Sequence, residues 1–350
     1  QIIFGFLIAI FTLTMVLAGK LELKIGTRGL GILSAVFFSA GYFIAGFSRG
    51  NFALIWLGIA VFAGMGTGFG YLASLTAPVR WFPEKKGLIT GIAAAGFGLA
   101  ATLLSLLIQF LLKSGKGILQ ISFIIGALYG TIILVFAFFL NSPRAVERAV
   151  QQAQKDFYKS IQFWRLLIGI FLGTFAGLLV IGSLKSIGLV KQIDDADKLA
   201  AAVSIFAVAN FLGRIGWGYL SDRLGSALTI FLALSFQAVS IFLLGMVTNE
   251  LFYLVCSAMI GFGFGGNFVL FARETGQIYG VDNLGRIYPF VFLGYGIAGI
   301  FGPLTAGALF DWTQTYDLAI TIASIMSLAG ALIYLRQELL VRRFKVVEKN

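Results

Sequence analysis

The chain has 350 residues, of which 59% are hydrophobic and 12% charged, about half the charged fraction usual in soluble domains. It has no histidine and a single cysteine, Cys256, which excludes a disulfide framework, a zinc site of the usual type and histidine acid–base catalysis. The balance is that of an all-α polytopic membrane protein, and its net charge of +11 calls for a lipid surface and not a nucleic acid.

Charged residues cut the sequence into apolar stretches of the length that a bilayer core requires. In chain order these are 2–18, 30–47, 52–78, 88–112, 119–140, 165–187, 199–219, 227–247, 251–272, 287–309 and 318–336, eleven in all. The loops between them are asymmetric. One set carries 20 of the 26 basic residues, including Lys20, Lys24, Arg28, Arg80, Lys85, Lys86, Arg144, Arg148, Arg342 and Arg343. The other carries Arg49, Lys113, Lys116, Lys185, Lys191 and Lys198. The positive-inside rule assigns the first set to the cytosol. The expected location is a prokaryotic cytoplasmic membrane, with the linker and C-terminus inside. The 15 carboxylates fall in loops or near helix ends, which leaves no mid-membrane acid for proton relay. Exchange or electrogenic uniport fits that pattern better than proton symport.

The third span holds Thr67 and Tyr71 four residues apart, on one helix face. Tyrosine can donate to a carboxylate while supplying an apolar wall, or it can simply pack between helices. After the fifth span comes the longest polar stretch, 141–164, which reads as a cytosolic linker with a partly amphipathic helix. The domain expectation is an N-terminal bundle at 1–140, the linker 141–164, a six-helix bundle at 165–337 and a basic tail at 338–350.

The span 199–219 contains Arg214. A guanidinium cannot be deprotonated in proteins, and a charge within a membrane span is costly unless it faces a polar cavity or a partner. Asn210 precedes it by four residues and shares its face. An amide beside a guanidinium suits a small organic anion, whose carboxylate arginine holds bidentately. The plainer alternative is an arginine that snorkels to headgroups or pairs with Asp222. Further on, Asn267 lies in the cluster Gly265-Gly266-Asn267, where glycines permit bending or local unwinding. It suits either cargo binding or an interhelical hydrogen bond. Gln237 falls on a helix expected to be peripheral, and Lys185 reads as a snorkelling lysine or an attractor of external anions. Gly68-Phe-Gly70 and Gly261-Phe-Gly-Phe-Gly265 lie in apolar spans with no preceding strand, so helix packing explains them and a nucleotide fingerprint does not.

The halves echo each other. Gly19-Lys-Leu-Glu-Leu-Lys-Ile-Gly26 and Gly218-Tyr-Leu-Ser-Asp-Arg-Leu-Gly225 share the pattern Gly-x-Leu-x-x-basic-x-Gly. Gly19, Gly26, Gly218, Asp222, Arg223 and Gly225 are therefore the expected conformational elements, because repeated halves are typical of carriers that rock two bundles. The first copy follows span one and the second follows the second span of its half, so one helix is expected to be missing ahead of the first span.

These loops resemble those of the major facilitator superfamily. The runs Arg80-Trp-Phe-Pro-Glu-Lys-Lys-Gly-Leu-Ile-Thr-Gly91, Ala95-Gly-Phe-Gly98, Ala176-Gly-Leu-Leu-Val-Ile-Gly182, Asn210 to Arg214, Gly265-Gly-Asn-Phe-Val-Leu-Phe271 and Gly294-Tyr-Gly-Ile-Ala-Gly-Ile-Phe-Gly-Pro303 resemble the oxalate/formate antiporters and their monocarboxylate-transporter relatives. In the first glycine loop Leu23 stands where that family has aspartate, and Glu22 is adjacent. The resemblance implies two pseudo-symmetric helical bundles, with eleven of twelve helices present. It implies that Arg214 is the substrate-binding arginine, and that Asn210 replaces the acid found one turn earlier in monocarboxylate transporters. It implies that Tyr295 stands in a helix where the oxalate branch carries a second cation, which favours a monocarboxylate over a dicarboxylate. Tyr71, Asn267 and Tyr295 would complete the site. No cofactor and no catalytic constellation are expected. The alternative is a transporter-derived subunit of a larger membrane complex.

Overall fold

In the computed structural model, residues 2–141, 156–193 and 195–347 are described. Most of the linker, Asp194 and the end of the basic tail lie outside the described residues. Ten helices there are long and apolar enough to cross a membrane. They are α1 (Ile2–Phe47), α2 (Phe52–Trp81), α3 (Lys86–Lys113), α4 (Ile118–Phe139), α5 (Ile161–Val190), α6 (Ala196–Leu224), α7 (Ser226–Gly245), α8 (Glu250–Tyr279), α9 (Leu284–Thr313) and α10 (Asp317–Val347).

The apolar part of α1 runs 43 residues, Gly5–Phe47, about 65 Å at the α-helical rise and twice a bilayer core. It is two helices joined at Gly26, whose backbone is non-helical (φ 70°, ψ 176°). Eleven spanning segments result, as the spacing of charges predicts. Gly225 makes the matching break between α6 and α7 (φ 84°, ψ 153°). Both glycines occupy a backbone region that side chains almost never adopt. Gly26→Ala and Gly225→Ala are each expected to cost about 1–3 kcal/mol, read as lower unfolding midpoints in detergent. Gly5→Ala, which meets open space at an ordinary φ, is the control.

Helix starts are set locally. Asn51 accepts from the amides of Ala53 and Leu54, Ser160 from Phe163, and Asp195 from Asp197 and Lys198, each satisfying orphan donors of a first turn. Within α2, Leu57–Ala63 is a π-helical turn. There Gly58 lies against the backbone of α1 at Gly41.

The chain forms two compact units. Unit 1 comprises Gln1–Pro83, Ala100–Phe157 and Tyr279–Gly296. In it α1 packs chiefly on α2 and α4. Unit 2 comprises Glu84–Leu99, Tyr158–Ile278 and Ile297–Asn350, with α10 packed on α7 and α5. Each unit thus takes the first half of one helix, α9 or α3, whose second half belongs to the other.

Candidate functional site

Arg214 lies inside unit 2 at 7% exposure. Its Nε donates to Asn210 Oδ1 at 3.2 Å and its Nη1 donates to the backbone carbonyl of Ala94 on α3. The guanidinium carbon sits 4.4 Å from the centre of the Phe268 ring, on α8, a cation–π arrangement that holds its plane. Two glycines make room for it. A side chain at Gly91 would strike the carbonyl of Arg214, and one at Gly265 would strike the Arg214 amide and the Asn210 carbonyl. The α6 backbone is therefore held against both α3 and α8 at the turn that carries the arginine. Burial removes the snorkelling alternative. Asp222 is committed elsewhere: its carboxylate accepts from the amides of Gly87 and Leu88, both at 2.9 Å, and from Arg273 Nε at 3.1 Å. An acid on the first amides of α3 is favoured by the orphan donors and the dipole of a helix start.

Asn267 is 2% exposed and Gln237 fully buried. The Asn267 amide donates to Gln237 Oε1 at 2.9 Å, and Gln237 donates to the Gly173 carbonyl at 2.8 Å. This chain of bonds ties α5, α7 and α8 together. Gln237 is thus interior, contrary to its expected peripheral place, because its helix turns that face toward α5 and α8.

In unit 1, Tyr71 and Tyr295 come together around two phenylalanines that the sequence reading did not select. Tyr71 stacks on Phe292 with centroids 5.3 Å apart. Phe11 packs edge-on to Tyr71 at 5.5 Å and to Phe292 at 5.6 Å. Tyr295 lies 5.0 Å from Phe292. The spacing Tyr288, Phe292, Tyr295 is a helical face legible in the sequence. Thr67 turns back to the Ala63 carbonyl of its own helix.

The two glycine loops are built alike, with one substitution of parts. Gly218 abuts the Gly87 backbone, and Gly19 abuts the Gly285 backbone. Where the second loop uses Asp222 with Arg273, the first uses Glu22. Its carboxylate accepts from Arg80 Nη1 at 2.7 Å and from Thr76 Oγ1 at 2.8 Å, and it faces Gly285 in the first turn of α9. Leu23, at the family's aspartate position, turns outward at 51% exposure. Arg223 is exposed and lies over the Tyr219 ring at 4.5 Å. Carboxylates are not confined to open loops: Glu22 and Glu274 are buried, and Glu274 accepts from Ser226 and lies 3.8 Å from Arg165.

The sequence matches the profile of the Major Facilitator Superfamily over residues 1–272 and 184–347. It is 29% identical over 307 residues to an uncharacterised transporter of that type from Escherichia coli, covering 85% of this chain and 75% of the relative. It is 29% identical over 285 residues to the oxalate:formate antiporter of Oxalobacter formigenes, covering 77% and 66%. Among solved structures, a proton:xylose symporter aligns over 95% of this chain and 84% of its own, with a TM-score of 0.74 at 12% identity. The human organic anion transporter MFSD10 aligns over 95% and 83% with a TM-score of 0.70 at 14% identity. At those identities the likeness is one of fold. The apolar helices, the paired glycine loops and the match along both halves make this chain an integral, multi-pass member of the Major Facilitator Superfamily.

Proposed function

We propose that the protein is a secondary or facilitative carrier of a small organic monoanion, most simply a monocarboxylate, working by alternating access. The observation that carries this reading is Arg214, buried at 7% exposure beside an amide oxygen, a backbone carbonyl and an aromatic face. A guanidinium kept in such surroundings is matched to a carboxylate, which it binds through two parallel donors. Asn210 orients the guanidinium. In unit 1, Tyr71 and Tyr295 carry phenols on an aromatic cluster; in unit 2, Asn267 sits one residue from the ring beneath Arg214. The relatives agree in class, since they include an oxalate:formate antiporter and a Toxoplasma gondii apicoplast pyruvate carrier.

Uptake of labelled formate, acetate, pyruvate and oxalate into proteoliposomes tests the reading. Monoanions are expected to be taken up in preference to oxalate, and Tyr295→Lys is expected to move the preference toward oxalate by adding a second cation. Failure of every small carboxylate to be taken up overturns the proposal. The same reading places the basic loops in the cytosol. A cysteine at Ser160 in a Cys256→Ala background is expected to resist an impermeant reagent in sealed cells and to label once they are opened. Labelling in sealed cells reverses the orientation.

A further inference from the structure

Two side chains of α6 hold the first half of α3, and they do so two helical turns apart on each helix. Asp222 takes the amides of Gly87 and Leu88. Arg214, eight residues earlier, takes the carbonyl of Ala94, seven residues later on α3. Gly87 and Gly91 let the backbones close to this distance: side chains there would meet Gly218 and Arg214. Of the two ties, only the second uses a group suited to cargo.

We propose that Arg214 is a clamp as well as an anchor: in the anion-free protein it grips the Ala94 carbonyl, and an incoming carboxylate takes the guanidinium from that carbonyl and frees residues 84–99. The inference rests on the reading of Arg214 as the anion anchor. A guanidinium offers a carboxylate two edges, each needing two donors. Nε gives its single hydrogen to Asn210, on one edge, and Nη1, one of the two nitrogens of the other edge, donates to Ala94. Two-point binding on either edge therefore draws on a nitrogen that is already donating. The Ala94 carbonyl is the easier to release, because it lies inside the helix Lys86–Lys113 and keeps its own bond from the residue four positions on. A ligand shifts a conformational equilibrium only by its differential interaction with the two states. Here that difference is one charge-assisted hydrogen bond, which amounts to roughly ten- to a hundredfold. The functional consequence is exchange. An empty carrier is clamped and returns slowly, whereas a loaded one is released, so swapping one anion for another outpaces net flux.

A disulfide reporter reads the clamp directly. A Cβ at Gly98 lies 3.7 Å from Cβ of Phe211, within the roughly 3.5–4.5 Å of natural disulfides. In a Cys256→Ala background, Gly98→Cys with Phe211→Cys is expected to crosslink readily under mild oxidation without anion. Saturating formate is expected to slow this about tenfold or more. Adding Arg214→Ala is expected to slow it to the same degree without formate and to abolish the formate effect. Hydrogen exchange across residues 88–98 of the unsubstituted protein gives a second reading, with formate raising the exchange rate. In proteoliposomes, formate uptake against internal formate is expected to exceed uptake into empty vesicles about tenfold. Crosslinking and exchange rates indifferent to formate, in a protein that transports formate through Arg214, overturn the clamp and leave the anchor standing. Transport that persists in Arg214→Ala overturns the anchor and the clamp with it.

Discussion

Arg214→Ala is expected to lower the apparent affinity for the transported carboxylate by roughly ten- to a hundredfold, the weight of a hydrogen bond to a charge. Arg214→Lys is expected to do nearly as badly. Lysine keeps the charge but loses the planar fork and the flat face that packs on Phe268. It also loses the Nε donor that Asn210 accepts from. The measurement is concentration-dependent uptake in proteoliposomes at matched protein levels, with folding checked by unfolding midpoints. If Arg214→Lys retains full affinity, the contact is one of charge alone and the bidentate geometry is wrong. If Arg214→Ala retains normal transport of every anion that the wild type accepts, Arg214 is structural.

Removing either partner of the Glu22–Arg80 pair is expected to be the most destabilising change in unit 1. Both side chains are almost fully buried, at 4% and 6% exposure. Truncating one takes a buried counter-charge from the other, at about 3–5 kcal/mol. Glu22→Ala and Arg80→Ala should each depress the unfolding midpoint, whereas Leu23→Ala, at an exposed position, should not. The double variant Glu22→Gln with Arg80→Met should recover much of the loss, because both buried charges are removed together. A large effect at Leu23 with none at Glu22 would overturn this account of the first loop. The same variants report on conformational change: Glu22 faces Gly285 at the start of α9, as Asp222 does Gly87 at the start of α3.

Much of this molecule is local and so was readable in the sequence. The spanning segments follow from charge spacing against a fixed bilayer thickness. Ten helices stand against eleven spans because Ile2–Phe47 is two helices joined at Gly26, whose backbone is non-helical. That Arg214 and Asn210 share a face is helical arithmetic, and the structure joins them by a hydrogen bond. The paired Gly26 and Gly225 stood out because the pattern Gly-x-Leu-x-x-basic-x-Gly repeats in the two halves, and both prove to have a positive φ that glycine alone adopts freely. The resemblance carried by the family runs is that of the superfamily whose profile the chain matches.

What the tertiary structure alone decided is non-local. Glu22 and Leu23 are adjacent, and only packing against Arg80 and Thr76 selects which one turns inward. Gln237 looked peripheral because nothing in its own helix reveals Asn267, thirty residues away. Tyr71 and Tyr295 are 224 positions apart, yet both lie against Phe292. The half-helices 84–99 and 279–296 belong to units other than those of their second halves, which a division by sequence order does not anticipate. Least visible of all was the partner of Arg214 at Ala94. Every residue carries a carbonyl, so no residue pattern marks the one that a guanidinium will reach; its identity depends on how closely two backbones approach, and that is set by glycines far apart in the chain.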